Sequence, residues 1–282
     1  MVDAAIARTW TSWWCRATYS LRRPSYGDYL HFFEGLERLG EAGIPVYLIT
    51  GNHDPYTSWQ HDFFSLPPNA TMLPGDRPGF ALVERDGQPL CLIGGRGYYN
   101  QTWPMDECIA EGVTREAAEQ ALAVQHPHAA EAPFAVGLLH TGLNLDPVKA
   151  PVDPAVLMHA GMDYWALGHI HMKYAYPSFD DPRLVFSGCI QGRDIKETGE
   201  RGVFCVTLRK ARKTSWSSSP RQASCGSGCT WTCPIARTCP TSPTRSCASC
   251  SARTARRIAR RWWCASRWRA RRRCTPCSIA PT

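Results

Sequence analysis

Short apolar runs alternate with helix-like segments through the middle of the chain. The runs are rich in β-branched and aromatic residues, which is typical of buried strands, and they lie at residues 46–49, 89–93, 134–139, 163–167, 184–186 and 203–208. Helical spacing of apolar residues predicts helices at residues 25–42, 114–125 and 153–160. Gly94 and Gly95 are expected to end the second strand. Strands that alternate with helices favour an α/β layered architecture.

The two ends of the chain differ in composition from this middle part. Residues 210–282 carry 16 Lys and Arg and no Asp or Glu, whereas the residues before them have a net charge of −8. Nine of the 14 Cys lie after residue 210, and eight of the 11 Trp lie outside residues 24–209, without any periodicity. Sequence of this kind cannot bury enough apolar surface to offset the entropy of ordering it. We therefore divide the chain into residues 1–23, 24–209 and 210–282, and expect the last part to be an unstructured basic tail.

A reading frame shifted by one base offers a cause for the unusual ends. Trp and Cys codons both begin with TG, so a shift of one base places these letters at the end of codons for Val, Leu or Met. In that neighbouring frame residues 8–20 allow the reading Asp-Val-Asp-Val-Leu-Val-Val-Pro-Gly-Asp-Ile-Phe, and residues 214–234 and 245–251 also gain apolar alternation. We interpret residues 1–23 as a garbled remnant of an N-terminal part and residues 210–282 as an out-of-frame tail. The alternative is a genuine basic tail that binds nucleic acid without sequence preference.

Three polar clusters each follow a predicted strand. Residues 51–54 read Gly-Asn-His-Asp, His140 closes the strand at 134–139, and residues 168–171 read Gly-His-Ile-His. Loops at one edge of a sheet bring separate chain segments together. Imidazole with amide or carboxylate oxygens suits divalent Mn, Fe or Zn. Two such ions about 3.5–4 Å apart can clamp a phosphate and generate hydroxide from water.

Each cluster, taken singly, also has a structural interpretation. A histidine at a strand end, such as His140, is commonly a hydrogen-bonded structural residue, and Gly-Asn-His-Asp at 51–54 is a plausible turn because Gly and Asn tolerate left-handed backbone. The order of the three clusters, each directly after an apolar strand, is what favours a shared site.

Together the clusters resemble motifs III, IV and V of the calcineurin-like metallophosphoesterases. Residues 24–209, including Thr50 and the Phe-Ser-Gly at 186–188, resemble the nuclease subunit (SbcD type) of the SbcCD family of DNA-repair exonucleases. The resemblance implies a two-sheet β-sandwich flanked by helices, two divalent metal ions of which Mn²⁺ is the expected kind, and hydrolysis of phosphodiester bonds in DNA in the cytoplasm. The rival interpretations are a phosphoesterase acting on nucleotides or small phosphoesters, and a non-catalytic nucleic-acid-binding fragment.

The resemblance also implies a role for each residue of the clusters. Asn52, His140 and His169 would ligate the second metal, and His171 would ligate the first. His53 would be the general acid, oriented by Asp54, since an imidazole can supply a proton to a leaving alkoxide near neutral pH.

The chain departs from the family pattern before residue 24. The family's Asp-x-His and Gly-Asp-x-x-Asp motifs do not occur there, and a bridging Asp is found only in the neighbouring frame, under residues 17–20. We therefore expect an N-terminally incomplete fold that holds at most one weakly bound metal and has little or no nuclease activity. The resemblance further implies DNA and an SMC-like ATPase subunit (SbcC type) as partners, allows a homodimer and implies no membrane contact.

The cysteines of the middle part and a charged segment near its end have simple interpretations. Cys91, Cys108, Cys189 and Cys205 are predicted to be reduced thiols of a cytosolic protein. The charged residues of segment 194–200 are predicted to form a solvated turn. A membrane span is not expected, since the sequence has no run of about 18 apolar residues.

Overall fold

The computed structural model describes residues 1–7, 26–59, 65–190, 192, 195 and 197–209, together with the backbone of residues 13–16 and 215–220. The helices are α1 (Val2–Ala7), α2 (Tyr26–Glu41), α3 (Arg115–Leu122) and α4 (Pro154–His159). The strands are β1 (Trp13–Arg16), β2 (Val46–Ile49), β3 (Ala70–Met72), β4 (Gly79–Arg85), β5 (Gln88–Arg96), β6 (Phe134–Thr141), β7 (Tyr164–His169), β8 (Tyr174–Pro177), β9 (Pro182–Phe186), β10 (Gly202–Thr207) and β11 (Ser215–Pro220).

The strands form three sheets. Strands β1, β2 and β3 make a parallel sheet in that order, and β10 pairs with β11 in an antiparallel hairpin. The largest sheet has the order β4-β5-β6-β7-β9-β8. Its four central strands run parallel, and the two edge strands run antiparallel to their neighbours. The carboxyl ends of the central strands therefore meet at one edge of the sheet.

The two larger sheets pack face to face around a shared hydrophobic core. Tyr47 and Ile49 of β2 lie in one cluster with Val136 and Leu138 of β6, and Phe204 of β10 packs against the same cluster. Side chains alternate along a strand, so β6 sends its other residues to the opposite face of the six-stranded sheet. The predicted two-sheet sandwich is confirmed.

Helices cover the outer faces of both sheets. On the six-stranded sheet, Ala118 of α3 and Leu157 of α4 are buried in one cluster with Trp165 of β7. On the three-stranded sheet, Ala5 of α1 and Leu36 of α2 lie in a third cluster. The layers thus run helix, sheet, sheet, helix, which is an α/β architecture. No helix in the described part of the chain is long and apolar enough to cross a membrane.

Local sequence signals account for where the helices begin. The Thr114 side chain accepts a hydrogen bond from the backbone N–H of Ala117 at 3.1 Å, and the Asp153 side chain accepts one from Ala155 at 2.8 Å. Each caps free N–H groups of the first helical turn. The predicted helices at 25–42, 114–125 and 153–160 correspond to α2, α3 and α4, with α3 ending three residues early.

Gly94 and Gly95 do not end the strand that precedes them, so that prediction is wrong. Strand β5 continues to Arg96, with Gly94 opposite Gly137 and Gly95 opposite Leu138. A Cβ on Gly95 would lie 2.5 Å from the carbonyl oxygen of Leu138. The glycines therefore mark a close approach inside the sheet rather than a turn.

The expectation of an unstructured tail is wrong for residues 215–220, and two segments of the N-terminal part also form regular structure. Residues 13–16 form β1, whose Arg16 lies opposite Ile49, and residues 215–220 form β11 against β10. Residues 2–7 form α1. The rest of the proposed remnant and tail, including residues 8–12, 17–25, 210–214 and 221–282, lies outside the described residues. The frame-shift interpretation itself remains a prediction.

Candidate functional site

The candidate site lies where strands from both large sheets end. His140 lies opposite Gly168 across the β6–β7 pair, and Thr141 lies opposite His169, so the two histidines leave neighbouring strands at the same edge. Asn52 follows β2 of the other sheet. The Oδ1 of Asn52 lies 2.9 Å from Nε2 of His140, and both side chains are buried. The edges of the two sheets therefore meet at this pair.

The structure brings together the three residues predicted to bind the second metal. The rings of His140 and His169 have centroids 5.5 Å apart. Ligand atoms about 2.0–2.2 Å from one ion lie about 3 Å from each other, which agrees with the contact between Asn52 and His140. Two imidazoles with an amide oxygen form a donor set that fits a borderline divalent cation. These residues would hold one such ion.

Asp146 joins this group, although no sequence motif pointed to it. Its Oδ2 lies 2.9 Å from Nε2 of His169. The hydrogen bond with His169 and a second one from the backbone N–H of Val148 hold the pKa of the Asp146 carboxyl below its usual value. The Asp146 carboxylate therefore adds a negative charge beside the two imidazoles and the amide oxygen.

A tight loop after β6 places Asp146. Its backbone N–H donates to the carbonyl of Gly142 at 3.0 Å, and the backbone N–H of Gly142 donates to the carbonyl of Lys149 at 2.6 Å. A Cβ on Gly142 would lie 2.2 Å from the carbonyl oxygen of Asp146. Only glycine permits this approach, so Gly142 is the one sequence signal that could have pointed to a folded loop here.

The backbone at His169 is strained. Its φ is +98°, a value that residues with a Cβ rarely adopt. Strain of this kind persists only where surrounding contacts fix the residue, and the Asp146 carboxylate and the β6 partner strand both do so here. This strain favours a functional rather than an incidental role for the turn at 168–171.

Residues 51–54 form an anchored loop. The side chain of Asp54, which is buried, accepts a hydrogen bond from the backbone N–H of Gly51 at 3.1 Å. The hydroxyl of Thr50 donates to the carbonyl of Tyr98 at 2.7 Å. The side chain of His53 is exposed. A substrate can therefore reach His53, while Asp54 fixes the loop; the predicted acid role of His53 and orienting role of Asp54 stay predictions.

Tyr98 forms an apolar wall beside His140. Their rings meet edge to face with centroids 5.4 Å apart. The Tyr98 hydroxyl is buried and has no hydrogen-bond partner within the described part of the chain. Burial, and secondly the charge of Asp146, raise the pKa of Tyr98. Tyr98 is thus an uncharged residue beside the candidate site, and no sequence motif pointed to it.

His171, the residue predicted to ligate the first metal, contacts a carboxylate. Its Nδ1 lies 2.5 Å from Oε1 of Glu197, whose side chain is only 20% exposed. The prediction of a solvated turn at 194–200 is therefore wrong for Glu197, because folding carries it onto His171. It holds for Glu200, whose exposed side chain pairs with Lys173 at 3.1 Å.

Comparison with known proteins identifies the family of the chain. Residues 23–173, more than half of the chain, match the calcineurin-like phosphoesterase family. The chain belongs to that family. It is a metallophosphoesterase by family, with Asn52 and His140 inside the matched region and the turn at 168–171 at its carboxyl end.

A curated relative supports the same assignment. The chain is 32% identical over 173 residues to a Bacillus subtilis (strain 168) protein named uncharacterized metallophosphoesterase YhaO. The match covers 60% of this chain and 38% of that relative. The chain therefore spans well under half the length of the relative.

Replacing a donor of this group should weaken metal binding. We expect His140→Ala to lower the affinity for Mn²⁺ by about 100-fold, since loss of even an indirect partner of a metal ligand costs about 10–100-fold. Calorimetric titration of the full chain measures the change. His159→Ala is the matched control, because His159 is exposed at the end of α4, where its ring contacts the carbonyl of Ala155 in its own helix. Equal affinities in the two variants would contradict the site.

Proposed function

We propose that the chain derives from a metal-dependent phosphodiesterase that acts on DNA. The observation that carries the proposal is the meeting of Asn52, His140 and His169 at the joined edges of two sheets, in a chain that belongs to the metallophosphoesterase family. Family membership supports hydrolysis of a phosphoester. The phosphodiester bond of DNA, as the finer substrate class, rests on the resemblance of residues 24–209 to the SbcD-type nuclease subunit.

The residues of the site have separate tasks in this proposal. A bound divalent cation would polarise the phosphate and lower the pKa of a bound water. Asn52, His140 and His169 would hold that cation, and the ionised Asp146 would orient the His169 ring through its hydrogen bond. The exposed imidazole of His53 would donate a proton to the leaving alkoxide.

The cofactor, partners and place of action are extensions of the same proposal. We expect Mn²⁺ as the ion, an SMC-like ATPase subunit of the SbcC type as the partner at DNA ends, a cytoplasmic location and a capacity for homodimers. Each rests on the resemblance to the nuclease family.

The unaltered 282-residue chain is expected to cleave linear duplex DNA only at trace rates in Mn²⁺. In the family, the two-metal mechanism uses ligands from two motifs that residues 1–23 of this chain do not contain. Losing about 3 kcal/mol of transition-state stabilisation lowers a rate by about 100-fold. The assay follows Mn²⁺-dependent loss of full-length DNA, with His53→Ala as the blank. Rapid cleavage that disappears in His53→Ala would contradict this prediction and show that the unaltered chain is an active nuclease.

The same assay separates the rival functions when it is run on a chain to which the family's Asp-x-His and Gly-Asp-x-x-Asp motifs have been added. A small chromogenic phosphodiester, run beside the DNA, should be hydrolysed more slowly if the substrate is DNA. The reverse order would favour a phosphoesterase acting on nucleotides or small phosphoesters. Salt-sensitive DNA binding with no metal-dependent cleavage under any condition would favour a non-catalytic nucleic-acid-binding fragment.

A further inference from the structure

A second group of metal-ligating side chains lies around His171. One ligand atom each from His171, Cys189 and Glu197 lie within 4.8 Å of one another, and all three residues are half-buried. Among the residues that the structure describes, this is the one group of three or more His, Cys, Asp or Glu residues packed so closely. The ligands that the family resemblance implies for the metal at His171 include no thiol, so the group around Cys189 is a different donor set.

Contacts within the group hold the three ligand atoms together. Nδ1 of His171 lies 2.5 Å from Oε1 of Glu197, and the Cys189 thiol donates to Oε2 of the same carboxylate at 3.7 Å. Around a zinc ion, sulfur lies at about 2.3 Å and nitrogen or oxygen at about 2.0–2.2 Å, so neighbouring ligands are about 3–4 Å apart. Small side-chain rotations would therefore bring all three atoms onto one ion.

The backbone brings Cys189 to this position. The N–H of Cys189 donates to the carbonyl of His171 at 3.1 Å. Gly188 has a φ of +75°, and a Cβ at that residue would lie 2.6 Å from the same carbonyl oxygen. The segment after β9 can approach His171 this closely only because residue 188 is glycine.

A buried arginine fixes the sulfur. Arg201 is 5% exposed, and its Nη1 donates to the carbonyl of His171 and lies 3.0 Å from Sγ of Cys189. A buried guanidinium requires nearby negative charge, and the Glu197 carboxylate, which contacts the same sulfur, offers it. The sulfur is thus held in position between the Arg201 guanidinium and the Glu197 carboxylate.

We propose that His171, Cys189 and Glu197 bind a thiophilic divalent cation, for which Zn²⁺ is the best match. Thiolate, imidazole and carboxylate are the three ligand types that zinc accepts, whereas Mn²⁺ disfavours sulfur. Two anionic ligands balance the charge of the dication, and the thiol proton passes to solvent on binding. Three protein ligands leave a fourth position for water. This zinc site shares His171 with the first metal site of the proposed phosphodiesterase, so the two sites would compete for that ligand.

The test reads the Cys189 thiol directly in the full reduced chain. Iodoacetamide alkylation is followed peptide by peptide by mass spectrometry, with and without Zn²⁺, so the tail cysteines do not interfere. We expect Zn²⁺ to slow alkylation of Cys189 by about tenfold or more, because a metal-bound thiolate is a poor nucleophile. Cys205, half-buried on β10, is the internal control and should be unaffected. Mn²⁺ should give no protection.

Variants decide whether the whole group binds the ion. Glu197→Gln and His171→Asn should both abolish the protection of Cys189 by Zn²⁺, whereas Glu200→Gln, a nearby exposed carboxylate, should keep it. Buried Cys91 reports on folding, since it stays unreactive in any variant that folds. Equal alkylation of Cys189 with and without Zn²⁺ would overturn the proposal. So would protection that persists in folded Glu197→Gln or His171→Asn chains.

Discussion

Adding the family's Asp-x-His and Gly-Asp-x-x-Asp motifs, which residues 1–23 do not contain, is expected to raise Mn²⁺-dependent cleavage of linear duplex DNA by at least about 100-fold over the unaltered chain, a gain of about 3 kcal/mol in transition-state stabilisation. The restored chain carries the neighbouring-frame reading in place of residues 8–20, preceded by a strand that ends in Asp-x-His. The added carboxylates would complete the first metal site and bridge the two ions. The negative charge of the first Asp of Gly-Asp-x-x-Asp would also offset the repulsion between two divalent cations.

The observed pairing of β1 supports this expectation. Arg16 lies opposite Ile49 in the parallel pair of β1 and β2. Asn52 follows β2 by three residues, so a Gly-Asp placed directly after β1 would leave the sheet at the same edge as Asn52. In the neighbouring frame, Gly-Asp-Ile-Phe falls under residues 17–20, directly after β1.

Two controls make the result specific. Changing the first Asp of the added Gly-Asp-x-x-Asp to Asn, or changing His53 to Ala, should return the cleavage rate to that of the unaltered chain. A restored chain that folds and binds Mn²⁺ but cleaves neither DNA nor a small phosphodiester would rule out the proposed function. Binding of Zn²⁺ is read from alkylation of Cys189 and activity from cleavage of DNA, so the two proposals are tested by separate measurements although both use His171.

Much of the scaffold of the site could be predicted from sequence because it depends on local pattern. The apolar run at 46–49 is a strand with those same bounds, and the histidines at 140 and 169 lie at the ends of adjacent strands. Parallel strands place their carboxyl ends at one edge regardless of loop details. The order of strands and polar residues therefore predicted a shared site, and the family resemblance assigned Asn52, His140 and His169 to one metal within it.

The carboxylates around the histidines could not be predicted in this way. Asp146 and Glu197 lie in loops 23 and 26 residues away from the histidines they contact. Their positions depend on tight backbone approaches at Gly142 and Gly188, which have no periodic signature. A charged residue in a loop looks the same in sequence whether it faces water or a histidine. Only the tertiary structure separates Glu197 from Glu200.

The glycines of the central sheet carry a structural role that the sequence also conceals. Gly137 of β6 lies opposite Gly94 on one side and Trp165 on the other. A Cβ on Gly137 would lie 2.1 Å from the indole of Trp165, which is 1% exposed. The Trp165 Nε1 also donates to the carbonyl of Leu157 at 3.0 Å. The indole therefore fills the space above Gly137 and links α4 to the sheet.

Gly137→Ala is accordingly expected to lower the free energy of unfolding by about 3 kcal/mol, the upper end of the usual cost of overpacking a core. The indole cannot move aside without losing its hydrogen bond to Leu157 and its contacts in the cluster. Urea unfolding of the full chain, followed by circular dichroism, measures the loss. Gly35→Ala is the matched control, because a Cβ at this position in α2 meets only Val2 at an ordinary 3.4 Å. That change should be neutral or stabilise by about 1 kcal/mol, the helix preference for Ala over Gly.

A double-mutant cycle assigns the effect to the contact with Trp165. Trp165→Leu alone should destabilise the chain by about 3 kcal/mol through lost burial and a cavity. In that background the indole no longer occupies the space above Gly137, so adding Gly137→Ala should cost much less than it does beside the tryptophan. A coupling energy of about 1–3 kcal/mol is the expected range for residues in direct contact. Additive losses would mean that the methyl group added at position 137 is opposed by the backbone of the neighbouring strands instead, and that the glycine serves the sheet rather than the packing of α4.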